Sequence, residues 1–565
     1  MKLHHLLVSI ILFGSTYIQA DVIFVESQQQ FEAAHNSASA TDSIIWRTGT
    51  YSDIDMTITK DDLSIMAEKL GGTIFTGASK ANINGDNIVF QGFQYLDGDI
   101  GTSDIIQTRG SHIVIEQINI RAYTSFKYLR VREESQYVTI IHCNFENRLN
   151  LDDQNILSIL VDENNPGYHK IQYCSFKNFD GTGNDQGIEP IRIGLSTQAD
   201  HISRTLVEYC YFTQCDGDGE LISSKASQNV YRHNTFENNP KAELVLRHGN
   251  KALVYGNFFI NGKGGVRVRE GQDHYIYNNY FYELDDRCIF LQNESSDPLD
   301  NINIAFNTIV DCSEFILGRD GNFRPTNVTL ANNIFADPDD QLFEEATTNE
   351  TWIGNIAFGD LGIILPVSGM TVVNPQLIEN SEGFFELEAN SPAINSAQPG
   401  YALLPQFPGI EGIDFDISFD LMSQSRPAAI AQKDLGCNEF PNDIPMEPIA
   451  TESNTGPSYN TTGSSGVIST SATVNDIFKI NSNPTRDQLN LTINGLDYPN
   501  VVIDVFNLEG KRVIRELKNS TNSNGLSFSV HLNEIPSGYY IIRATSQNSR
   551  TRKQSQQLAN FIKSQ

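Results

Sequence analysis

"NVYRHNTFENN", residues 229–239, decides how the rest of the chain is read. Its first half alternates apolar and polar side chains with the period of two that a strand requires. Asn234 and Phe236 follow at once. The phrase returns as "ALVYGNFFI" at 252–260 and "HYIYNNYFY" at 274–282, then as "NTI" at 307 and "NIF" at 333. It is preceded by "CNF" at 143, "CSF" at 174 and "CYF" at 210. From Phe145 onward the steps between phrase ends are 31, 36, 24, 23, 22, 28 and 26 residues. Units of that length, made of strand and turn without helical periodicity, specify a solenoid. The expected fold is all-β: a right-handed parallel β-helix over residues 21–440. Each coil hydrogen-bonds to the coils above and below. The recurring Phe side chains stack inside, and the preceding Asn or Cys ladders at a tight corner.

Outside the repeat the composition changes. The start, "MKLHHLLVSIILFGSTYIQA", has a basic Lys2, an apolar run and a small residue at Ala20, the pattern of a secretory signal peptide over 1–20. No other apolar run reaches membrane-spanning length, so the expected product is exported, secreted or held at the cell surface. Residues 441–474 are rich in Ser, Thr, Gly, Pro and Asn and read as a flexible linker. Residues 475–565 hold short alternating strands, such as "DQLNLTI" and "GYYIIRAT", and read as a small β-sandwich. The seven cysteines form no CxxC pair and read as small core residues.

The formal net charge of -30 argues against nucleic acid as a partner. Residues 222–269 depart from it, with eight Lys/Arg against two acids, which suggests a local anionic ligand. Within this island three coils carry "EPIRIG" (189–194), "GELISSK" (219–225) and "ELVLRHGN" (243–250), and "GVRVR" (265–269) follows. Stacked about 4.8 Å apart, they are expected to line one face with Arg192, Lys225, Arg247, His248 and Arg267, and to place Asp218 and Glu220 at one end. Such a groove suits an anionic polysaccharide. A uronic acid has an acidic hydrogen at C5 and a leaving oxygen at C4, and its removal requires that the carboxylate be neutralised by a cation or an arginine. A lysine whose pKa is depressed by its neighbours is a suitable base. Two other readings stay open: Lys225 pairing with Glu220 on the surface, and a non-catalytic β-helix that binds acidic glycans. A hydrolase built on Asp216 and Asp218 is disfavoured, because two carboxylates on one strand edge do not face each other.

"CDGDGELISSKAS" (215–227), taken with "IRIG", "LRHGN" and "YNNYF" (277–281), resembles polysaccharide lyase family 6, the alginate lyases and the dermatan-type chondroitinase. The similarity runs from about Asp21 to about Phe440. It implies lysis of alginate by β-elimination, with dermatan sulfate as the alternative. It also implies Lys225 as the base, Arg247 as the acid, and Arg192, His248 and Arg267 as substrate-binding residues. A calcium site is implied at Gln186, Asp218 and Glu220, where the family carries an Asn and two Glu. The last module, with "INSNPTRDQLNL", "DVFNLEGKRV" and "PSGYYIIRA", resembles a type IX secretion sorting domain and implies that machinery as a partner.

Overall fold

The computed structural model describes residues 20–442 apart from 151–153, 181–186, 293–296, 319–323, 339–340 and 364–366, then residues 450–459 and the strands between 478 and 563. The expected signal peptide lies outside the described residues. The chain forms a parallel β-solenoid of about 13 turns. One sheet of 14 parallel strands runs from Val22–Val25 to Thr351–Ile353 and takes one strand from each turn. The other strands of each turn join a second, 23-stranded sheet. The turn that holds the opening phrase shows the order: Val230–Arg232 in the first sheet, then Thr235–Glu237 and Glu243–Leu246 in the second.

Two side-chain columns hold the turns in register. Phe145, Phe176, Phe212, Phe236, Phe259 and Phe281 stack with ring centroids 4.7–5.1 Å apart, and bury large apolar area at every step. At the corner, Asn234 donates its backbone N–H and its side-chain Nδ2 to Asn257 Oδ1, both at 3.0 Å. Asn257 does the same to Asn279, and the ladder continues through Asn307 and Asn333 to Asn355. A buried corner exposes backbone groups that no strand satisfies. Asparagine carries both donor and acceptor, so one residue type answers the need at each turn. Cys143, Cys174 and Cys210 head the same column, and Cys210 N–H donates to Asn234 Oδ1. All seven cysteines are buried free thiols. The chain enters the ladder through a left-handed residue, His233, Gly256 or Asn278. Gly256 also leaves room for the His233 ring, which a Cβ there would meet at 2.8 Å.

The helix Gln28–Ser37, capped by Ser27, closes the first turn by packing Phe31 on Trp46. After the last turn the chain runs back along the solenoid. Leu404, Phe407, Ile410 and Ile413 form a second core with Val230, Leu253, Tyr255 and Tyr277.

The stretch read as a linker over 441–474 is not uniform. Residues 450–459 lie against the solenoid: Gly456 N–H donates to Tyr173 O, Ser458 N–H donates to Gln117 Oε1, and Glu452 pairs with Lys177. Tyr459 Oη reaches the carbonyls of Phe93 and Gln117. The first compact unit accordingly includes residues 450–459. The separate C-terminal unit holds a three-stranded and a four-stranded antiparallel sheet, with Leu489, Ile503, Val505, Val530 and Ile542 buried. This is the expected small sandwich.

Candidate active site

Strand Glu220–Ser224 pairs with Ile191–Ile193 on one side and Glu243–Leu246 on the other. The register differs in one respect from the expected stack. Arg192 stands opposite Ser223, not Lys225, and on the far side the same row continues through Val245 to Arg267. Inward-facing Ile and Leu residues set this register, so the outward arginines alternate with them. Lys225 lies two residues further on, at the end of its strand, where its N–H donates to Ile193 O. Arg247 and His248 both donate their backbone N–H to Ser224 O, which brings them beside Lys225.

At the start of the same strands stands a row of carboxylates. Glu220 is opposite Glu243, and Glu189 is one rung below. Three buried glutamates along a rigid sheet need counter-charge. Arginines supply it: Arg192 on Glu189 at 2.9 Å, Arg247 and Arg267 on Glu220 Oε1 at 2.8 and 3.4 Å, and Arg287 on Glu243 at 2.6 Å. His248 Nδ1 lies 2.8 Å from Glu270 Oε2. The predicted residues Lys225, Arg247, Arg267, Arg192 and Glu220 are therefore together. Glu189, Glu243, Arg287 and Glu270 are structural members that the motif reading did not assign. For the carboxylate row the available signal is the Glu at or next to the start of each of "EPIRIG", "GELISSK" and "ELVLRHGN".

Lys225 is 8 % exposed, and among the described residues no ion pair holds its ammonium. The pairing with Glu220 that a surface salt bridge requires is absent. Burial lowers the Lys225 pKa most, the charges of Arg192 and Arg247 lower it further, and Glu189 and Glu220 oppose them. Burial was not the cause expected from the sequence, but the direction is that of a base.

Of the implied calcium ligands, Gln186 lies outside the described residues. Asp218 accepts Gly187 N–H on one oxygen and Glu220 N–H on the other. Glu220 Oε1 carries two guanidiniums, and Glu220 Oε2 is buried with no hydrogen-bond partner among the described residues. Calcium takes six to eight oxygens. Among the described residues no three acidic, His or Cys side chains converge to hold an ion. The described members of the set, Asp218 and Glu220, supply at most four carboxylate oxygens, fewer than a calcium shell takes, and no chemical step is routed through an ion.

The chondroitinase B family model matches residues 25–320, just over half of the chain. The chain belongs to the chondroitinase B family. In this family member the matched residues include every described site residue named above. A model of the secretion system C-terminal sorting domain matches residues 479–556 and indicates export, secreted or to the cell surface. No curated protein matches the chain. Among solved structures, the polysaccharide lyase family 6 alginate lyase AlyGC is 22% identical, with a TM-score of 0.58 over 65% of this chain and 55% of that one. A point variant of AlyGC gives 21% and 0.62 over 79% and 60%. A mannuronic acid specific family 6 lyase from human gut microbiota gives 22% and 0.57 over 63% and 91%. The family member thus spans 55–60% of the AlyGC chains. At these identities the likeness shows the shared fold. No helix among the described residues is long and apolar enough to cross a membrane.

Proposed function

We propose that this protein is an exported polysaccharide lyase that cleaves alginate by β-elimination, with Lys225 as the base. The observation that carries the reading is a nearly buried lysine with no ion pair among the described residues, set beside Arg192 and Arg247 on a groove lined with arginine. The printed names of the similar structures, alginate lyases, support the substrate. The family's own name favours dermatan sulfate as the second reading.

In the proposed reaction neutral Lys225 Nζ takes the C5 proton of a uronate residue. The electron pair left at C5 spreads into the carboxylate, and Arg192 and Arg247 neutralise that charge as it grows. The C4–C5 double bond forms as the C4–O bond breaks. Arg247 is a poor proton donor, because a guanidinium scarcely ionises, and Glu220 holds it in place as a charge. Water protonates the departing oxygen. His248, held by Glu270, and Arg267 grip the chain.

The test is a panel of alginate blocks and dermatan sulfate, read by ultraviolet absorbance of the conjugated product. Absorbance from alginate is expected. A polymer cut without absorbance, or absorbance from dermatan sulfate alone, overturns the alginate reading. With the active substrate, kcat/KM is expected to rise with pH through one ionisation, as Lys225 loses its proton. Because the shift is downward, the midpoint lies below the ordinary lysine value of 10.5; a midpoint at or above it contradicts the assignment.

Chelation provides a further prediction. With arginines on Glu220 already supplying positive charge, exhaustive EDTA treatment is expected to leave turnover within about twofold. Loss of activity on chelation and recovery with calcium would show that ligands beyond the described residues complete a metal site.

A further inference from the structure

The segment "LRVRE", residues 129–133, repeats almost letter for letter as "VRVRE" at 266–270. The two copies share columns of the same sheet. Arg130 is followed rung by rung by Ser158, Arg192, Ser223, Val245 and Arg267. Lys225, just past Ser223, therefore lies three rungs from the first copy and two from the second. One copy already contributes Arg267 to the proposed lyase groove. The other lies on the same face, beyond Arg192, with no role assigned.

Its surroundings are those of a binding site. The side chains of Arg130 and Arg132 are 16% and 23% exposed, so they are anchored in the sheet and open at the tip. Asp104 Oδ2 holds one edge of Arg130 through Nε at 3.2 Å, which leaves the outer edge of the guanidinium for a ligand. Arg132 Nε has Glu133 Oε2 at 3.6 Å, an ion pair longer than a hydrogen bond, as Arg267 Nε has Glu243 at 3.8 Å. The half-buried ring of Phe126 lies 4.7 Å from the Arg130 guanidinium and 4.8 Å from Lys127 Nζ. Lys127 itself is fixed by Gln154 and Asn155. Between Arg130 and Arg192 the row carries only Ser158, short and itself buried, so the two arginine side chains, 16% and 19% exposed, are the ones of this row that reach the surface here.

We propose that Arg130, Arg132 and Phe126 form a distal subsite that binds a uronate residue of the same polymer chain that Lys225 attacks. The inference rests on the lyase reading for the identity of the polymer. A 1→4-linked pyranose advances its chain by about one rung, and a flat ribbon turns alternate carboxylates to the same side. Arg130 and Arg192, two rungs or about 9.6 Å apart, match that alternation. The guanidinium forks take the carboxylates, and Phe126 meets the C–H face of the ring.

The experiment measures binding of saturated mannuronate tri- and hexasaccharides by calorimetry, using Lys225→Ala protein so that nothing is cut. The hexasaccharide, long enough to reach the subsite, is expected to bind more tightly than the trisaccharide. Adding Arg130→Gln is expected to reduce that advantage by about 10- to 100-fold, the cost of one charge-assisted contact. Arg132→Gln, which leaves the Arg130–Asp104 pair intact, is expected to do the same and covers a folding failure of the first variant. An advantage unchanged in both variants, equal weakening of both oligosaccharides, or binding of neither overturns the subsite. A length advantage that depends on Arg130, in a protein whose wild type forms no unsaturated product, keeps the subsite and removes the lyase reading.

Discussion

Lys225→Ala is expected to lower turnover by about 10²–10⁴-fold, the usual contribution of general-base catalysis, while the folded protein still binds the polymer. Arg192, Arg247, His248 and Arg267 keep the groove charged, and among the described residues no ion pair depends on Lys225. Lys225→Arg separates the base from a mere positive charge. Arginine preserves the charge but cannot give up its proton at working pH, so this variant is expected to be equally inactive. An active Lys225→Arg enzyme would end the assignment. A surface ion pair predicts the opposite outcome: an active protein less stable by about 0–1 kcal/mol.

The second large effect is expected at Glu243. Its side chain is fully buried; Oε1 lies 2.6 Å from Arg287 Nη2, and Oε2 lies 3.1 Å from Arg287 Nε. Arg267 Nε stands 3.8 Å from the same carboxylate. Gly264 makes the space, since a Cβ there would meet Glu243 Oε2 at 3.1 Å. Glu243→Ala leaves Arg267 with Glu220 alone, at 3.4 Å, and Arg287 with only the exposed Asp286, at 3.3 Å, at a cost of about 3 kcal/mol, the lower end for a broken buried pair. Denaturant midpoints and melting temperature are expected to fall accordingly, and polymer affinity with them as Arg267 loses one of its two carboxylates. Glu243→Gln, which keeps one acceptor, is expected to lose less. Equal stability of Glu243→Ala and wild type would show that the guanidiniums find solvent instead.

The solenoid was legible in the sequence because its cause is local. Each turn carries its own Asn or Cys and its own Phe, and the columns they form are visible as a spacing. The site was legible in composition and less so in register. Arg192 and Lys225 do share the face, yet Arg192 faces Ser223, because pairing follows the buried Ile and Leu rather than the motifs around the charges. The carboxylate row of Glu189, Glu220 and Glu243 depends on that register and could not be assembled without it. Residues 450–459 have the composition of a linker for a related reason. Gly456, Ser458 and their neighbours are flexible residue types in isolation, but here smallness is what permits contact. A Cβ on Gly456 would come within 2.7 Å of Ser175 Oγ, and the Tyr459 ring occupies space that any side chain at Gly71 would fill. Composition reports what a segment can do alone, not what it docks against.

The cysteines at the head of the asparagine ladder have a consequence for export. Cys143, Cys174 and Cys210 occupy successive turns, about 4.8 Å apart along the sheet, which is within the Cα separation that a disulfide spans. In the finished fold all three are fully buried, out of reach of reagents in solution. An oxidising compartment can therefore attack them only while the turns are open. Closure of the solenoid sets a deadline for the chain: each turn that shuts removes a thiol from oxidative chemistry, and a thiol-reactive dye added during refolding records the order in which the turns shut.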